Sequence, residues 1–155
     1  MAAGDSPLSK VAPIERNVLP AAQRLWVYAA LIAVAATGLL WLIGHYGLAQ
    51  HDAMGETRHP LETWALKLHG AAAFLALVAL GTVLAVHVPT GLRLRQNVSS
   101  GIAIVGVAIA LAATGYWLYY FVDDQTRAIV SAVHWIVGIV AIALVLLHLR
   151  PVRRG

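Results

Sequence analysis

Four stretches of this chain contain no Asp, Glu, Lys or Arg. They lie between Arg24 and Asp52, Lys67 and Arg93, Arg95 and Asp123, and Arg127 and Arg150, with charge-free lengths of 27, 25, 27 and 22 residues. The hydrocarbon core of a bilayer needs about 20 apolar residues of helix, so each stretch can cross once. Lipid offers no partner to backbone N–H and C=O groups, and helices satisfy them internally. The pattern predicts an all-α, four-transmembrane-helix bundle with helices near 24–47, 64–88, 98–121 and 127–149. The breaks fall between them: Pro60 on the approach to helix 2, Pro89–Gly91 at its end, Asp123–Asp124 before helix 4 and Pro151 after it. Residues 1–22 then form an N-terminal tail, 23–150 the membrane domain and 151–155 a C-terminal tail.

Composition agrees, with 60% hydrophobic and 12% charged residues in 155. There is no cysteine, which excludes disulfides, thiolate metal sites and covalent c-type haem attachment. The net charge of +4 resides in short segments beside the apolar runs. It therefore reads as a topology signal and not as a nucleic-acid surface. Lys10, Arg16, Arg24, Arg93, Arg95, Arg150, Arg153 and Arg154 fall on one side, and only Arg58, Lys67 and Arg127 on the other. The positive-inside rule makes the first side cytoplasmic, with both termini there. A cleaved signal peptide is not expected, since the first apolar run is too long and begins too late.

The chain also reads as two parallel helical-hairpin repeats. Ala35-Ala36-Thr37-Gly38 in helix 1 is matched by Ala112-Ala113-Thr114-Gly115 in helix 3. Each is followed by a loop and then a helix with a histidine in its outer half, His69 and His134. Ionisable residues inside membrane helices are expensive and face the bundle interior. An α-helix turns about 100° per residue, so His69 and His87, 18 apart, share a face, and His134 and His148, 14 apart, nearly do. Helices 2 and 4 can thus offer one His–His pair near each membrane surface. Small residues follow on the same stripes: Ala73 and Ala76, Gly138 and Ala141. They leave a slot that a porphyrin or another helix could fill. Neutral imidazole is a good iron ligand, and it is also a good interhelical hydrogen-bonding group.

These segments resemble the cytochrome b561-like superfamily, and the compact form looks closest to bacterial flavinylation-associated cytochromes. The resemblance rests on His45-Tyr46, Leu68-His69-Gly70, His87, Thr114-Gly115-Tyr116, His134 and His148, and spans about residues 25–150. It implies non-covalent haem b, one or two groups, in the bacterial cytoplasmic membrane. It also implies electron transfer between a quinone or inner donor and a periplasmic redox partner. By the same resemblance His69 and His134 would ligate the outer haem iron, and His87 and His148 the inner one. The 18-residue spacing in helix 2 departs from the 14 of helix 4 and makes His87 the least regular of the four. His45, near His69 in depth, is a further cofactor-binding candidate, as a replacement ligand or a bridge to a propionate or quinone.

Other features are less specific. His45, His51, Asp52, Glu56, Arg58, His59 and Glu62 crowd the outer loop and could bind a divalent metal or relay protons, or form an exposed polar loop. Arg58, Lys67 and Arg127 outside, with Arg93, Arg95 and Arg150 inside, could pair with haem propionates, although topology already accounts for them. Trp41, Tyr46, Trp64, Tyr116, Trp117, Tyr119 and Tyr120 suit an aromatic belt at the outer interface. No catalytic triad, phosphate loop or dinucleotide fingerprint occurs. The alternative to a cytochrome is a cofactor-free subunit that anchors or assembles a larger complex.

Overall fold

The computed structural model describes residues 19–48, 50–52, 55–57, 59–95, 97–121 and 123–149. Helix α1 spans Ala21–Leu42 and continues as one π-helical turn, Ile43–Gly47. Helices α2 (Pro60–Arg93), α3 (Val98–Tyr120) and α4 (Asp124–His148) follow. The α1–α2 connection holds a small antiparallel hairpin, β1 (Gln50–Asp52) and β2 (Gly55–Thr57), with His51 opposite Glu56. All four helices are long and apolar enough to cross a membrane. The chain is a multi-pass, all-α membrane protein built as a four-helix bundle.

Local chemistry sets the boundaries. Pro60 occupies the first turn of α2, where a missing N–H costs nothing, and the His59 ring accepts from Leu61 N at 3.2 Å. Helix α2 therefore begins four residues before its expected start. It also runs past its expected end, through Pro89 to Arg93. Backbone bonding resumes beyond the proline, with Leu94 N donating to Thr90 O at 2.9 Å. The Thr90 hydroxyl adds a bond to the Val86 carbonyl at 2.8 Å. At 34 residues, α2 is about 51 Å long and exceeds the roughly 30 Å hydrocarbon thickness. The turn into α3 uses left-handed backbone at Arg95 (φ 52°) and Asn97 (φ 50°); asparagine tolerates this region better than most residues. Asp123 caps α4, its carboxylate accepting from Gln125 N and Thr126 N, each at 2.9 Å.

Packing is uneven. Helix α1 packs closely on α2, and α3 on α4, whereas the two hairpins touch each other sparsely through α1–α4 and α2–α3. Among the described residues the buried apolar side chains are only Ala30, Ala65, Ala72 and Ala79, and no large side chain is fully enclosed. Leu25, Phe74, Ile102, Ile109 and Ile129 point outward, as a lipid-facing surface requires. Of the aromatic residues expected at one interface, Tyr46, Trp64, Tyr116, Trp117, Tyr119 and Tyr120 are exposed, whereas Trp41 is half-buried and stacks on His45. The tail residues 1–18 and 151–155, with Lys10, Arg16, Arg153 and Arg154, lie outside the described residues, as do Arg58 and Arg150.

Candidate cofactor site: two histidine pairs

Helices α2 and α4 run in the same direction, because each is the second arm of its hairpin. Their histidines meet in two pairs. The rings of His69 and His134 have centroids 6.3 Å apart and planes at 89°. Those of His87 and His148 are 6.5 Å apart at 74°. The unequal spacings, 18 residues on α2 and 14 on α4, therefore do not prevent the second pair. The four-residue difference is about 6 Å of helical rise, and the bundle absorbs it. Along the helices the two pairs are about 21–27 Å apart, most of the hydrocarbon thickness.

Such separations fall within the range of edge-to-face ring contacts. They also match two rings on one metal. A metal–imidazole bond is about 2.0–2.1 Å, as in zinc sites, and the nitrogen sits about 1.2 Å from its ring centroid, so two ligating rings have centroids roughly 6.4 Å apart.

The surroundings of the rings commit their Nδ1 atoms. His69 Nδ1 lies 3.0 Å from the Val34 carbonyl, which can only accept, so Nδ1 carries the proton. Thr37 Oγ1 is a second neighbour at 3.2 Å. His134 Nδ1 is 2.8 Å from Thr114 Oγ1, and that hydroxyl donates to the Ala110 carbonyl at 2.8 Å, leaving its oxygen to accept from the ring. His148 Nδ1 is 2.8 Å from Ser100 Oγ, whose hydroxyl donates to Asn97 O at 3.1 Å. In His69 Nε2 is then the deprotonated nitrogen, the form in which imidazole binds a metal, and the hydroxyls beside His134 and His148 are placed to accept from Nδ1 in the same tautomer.

A glycine follows each hydroxyl residue; Gly38 and Gly115 leave room that the rings of His69 and His134 occupy, whereas at Gly101 the contact with His148 is an ordinary one. A Cβ on Gly38 would stand 3.1 Å from His69 Cε1; on Gly115, 3.3 Å from His134 Cε1; on Gly101, 4.0 Å from His148 Cε1. The repeated Ala-Ala-Thr-Gly segments thus play the same part, since each presents a threonine and a gap to the histidine of its own hairpin. Ser100-Gly101 presents a hydroxyl to His148 in the same way and was not anticipated from sequence. The signal was available, since it lies 14 residues before Thr114-Gly115, the same interval that separates His134 from His148.

A large, flat, apolar group with polar atoms suits this interior. Protein interiors are normally close-packed, yet among the described residues the only buried apolar side chains are four alanines. Trp135 Nε1, beside His134 in sequence, is buried without a hydrogen-bond partner. An orphaned buried donor costs about 1–3 kcal/mol, which an acceptor on a bound group would offset. At Gly138 a neighbouring helix lies beside the slot, Leu111 Cδ2 of α3 standing 4.0 Å from the Cβ position.

His45 is engaged elsewhere. On the π-helical turn its Nδ1 is 3.0 Å from Glu62 Oε1, its ring stacks on Trp41 at 4.7 Å, and Tyr46 meets it edge-on. Glu62 is the one buried charged side chain among the described residues. Little of the remaining loop cluster falls within the described residues. His59 is spent capping α2, and the side chains of His51, Asp52 and Glu56 lie outside the described residues. No group of three or more metal-ligating side chains forms among the described residues. Two-ligand imidazole sites are smaller than such a group.

Fold and site together define a four-helix membrane protein with two facing histidine pairs on its parallel second and fourth helices. Compared with family models, with curated proteins and with solved structures, the chain has no match.

Proposed function

We propose that the chain is a di-haem, b-type membrane cytochrome of the b561-like kind, moving electrons across the bacterial cytoplasmic membrane between a quinone or inner donor and a periplasmic redox partner. The observation that carries the reading is the repetition of one spacing, 6.3 Å and 6.5 Å, between rings on α2 and α4 at two depths. His69 and His134 would hold one haem iron, and His87 and His148 the other. A haem iron with two axial imidazoles supplies one-electron chemistry, cycling between ferric and ferrous states.

The residues of the chain do the rest. Val34, Thr37, Thr114 and Ser100 fix which ring nitrogen is available. The lipid-facing leucines, isoleucines and phenylalanine keep water from the interior, which raises the electrostatic weight of every fixed dipole around the rings. By the positive-inside rule both termini are cytoplasmic, so His69 and His134 belong to the periplasmic half.

The pairing is tested by substitution. His69→Ala and His134→Ala should each remove the same haem from the purified chain, and His87→Ala and His148→Ala the other. Loss of different haems within a pair would refute the assignment. Retention of full haem by all four variants would show that other residues hold it, whereas a folded wild-type chain without haem would leave the cofactor-free anchor as the better reading.

A further inference from the structure

We infer that Thr37, Thr114 and Ser100 are positioning residues that set the ligand strength and ring plane of His69, His134 and His148. The inference rests on the haem reading above. Its basis is a unit that occurs three times: a hydroxyl residue and a glycine on an odd-numbered helix, with the hydroxyl on Nδ1 and the glycine beneath the ring. In the second hairpin the unit is doubled, Ser100-Gly101 and Thr114-Gly115, and the two units serve His148 and His134. In the first hairpin Thr37-Gly38 serves His69; the positions fourteen residues earlier are Gln23 and Arg24, and Gln23 Nε2 donates to Thr82 Oγ1 at 3.2 Å.

The consequence is electronic. A ligand whose Nδ1–H donates to a good acceptor is a stronger donor through Nε2 and favours ferric iron. The Thr114 oxygen is polarised by its own bond to Ala110 O, so the chain His134 Nδ1–H to Thr114 to Ala110 strengthens the acceptor. Removing the hydroxyl weakens His134 and raises the midpoint potential of its haem. The ring, no longer held, also turns away from the 89° it makes with His69.

The test uses the full-length, haem-loaded chain in detergent, with Thr114→Val, Thr114→Ser and Ser100→Ala. Potentiometric titration and ferric electron paramagnetic resonance are the readouts; the largest g value of the latter depends on the angle between the two ligand rings. Thr114→Val should raise the potential of one haem by up to about 59 mV, a tenfold loss of ferric preference. It should also shift that haem's largest g value, and Thr114→Ser should restore both. Ser100→Ala, a mild change in the first turn of α3, should move the other haem alone. Unchanged potentials and g values in Thr114→Val or in Ser100→Ala would overturn the inference, as would movement of the same haem by both. If Thr114→Val proves too unstable to isolate, Ser100→Ala decides alone. A wild-type chain without haem would instead sink the functional reading itself, so the two failures are distinguishable.

Discussion

Replacing Gly38 by alanine probes a close approach between α1 and a histidine ring of α2. The new Cβ would lie 3.1 Å from His69 Cε1 and 3.4 Å from Nδ1. Carbon atoms prefer a separation of about 3.5–4.0 Å, so the ring must retreat by about 0.4 Å or more. Retreat strains the bond of Nδ1 to Val34 O, 3.0 Å long. Forcing an extra methyl into a packed site costs about 1–3 kcal/mol. Alanine in place of a helical glycine returns about 1 kcal/mol. The net expectation at Gly38 is a destabilisation of roughly 0–2 kcal/mol. At Gly115 the corresponding contact is 3.3 Å, and the opposing effects nearly cancel. At Gly106 a Cβ would meet nothing within 4 Å, and alanine should stabilise by about 1 kcal/mol. Thermal unfolding in detergent, followed by far-ultraviolet circular dichroism, should rank Gly106→Ala above the wild type, Gly115→Ala near it and Gly38→Ala below. Gly38→Ala as stable as Gly106→Ala would refute the claim that the glycine exists to admit the ring.

Further outcomes follow from other contacts. Removing the imidazole in His45→Ala leaves the buried Glu62 carboxylate without its 3.0 Å partner; a loss of about 1–3 kcal/mol in the same melts is expected, and a neutral effect would show the pair to be incidental. Asp123 is held below the ordinary aspartate range, first by the backbone N–H of Thr126 and also by that of Gln125. Because its native pKa is lowered, its contribution is full above the ordinary aspartate range and fades as the pH falls through the native value. Wild type and Asp123→Ala should therefore differ in melting temperature at neutral pH and converge in acid, and a gap that persists in acid would contradict the capping role. The absence of cysteine gives a clean background for labelling. In intact cells an impermeant thiol reagent should modify Gln125→Cys, in the first turn of α4, but reach Asn97→Cys, between α2 and α3, only after permeabilisation; the reverse pattern would invert the proposed topology.

Much of this architecture was legible in the sequence because the bilayer makes simple demands. Charge-free runs of sufficient length had no other use, and each became a helix. The ends were less legible. Pro60 and Pro89 read as breaks, yet one opens α2 and the other sits inside it, since proline at a first turn is tolerated and a late proline forfeits few bonds. The π-helical turn at Ile43–Gly47 and the small hairpin after it carry no hydrophobic period to reveal them. Of the site, the histidine stripes were visible from helical spacing alone. The same stripes offered His87 to His148, but the unequal spacings left their register open, because relative helix depth is set by packing. The purpose of the repeated Thr-Gly pairs was not legible, since as sequence they were only small residues in membrane helices. His45 looked like a ligand from its depth, and its contact with Glu62 across the α1–α2 hairpin depends on the π-turn that sequence did not disclose.

The most direct measurement is the haem content of the full-length chain purified from haem-replete cells. A red preparation is expected, with a reduced-minus-oxidised spectrum of b-type haem and a pyridine haemochrome value near two haems per chain, one for each histidine pair. A folded, four-helix preparation that is colourless would contradict the proposed function.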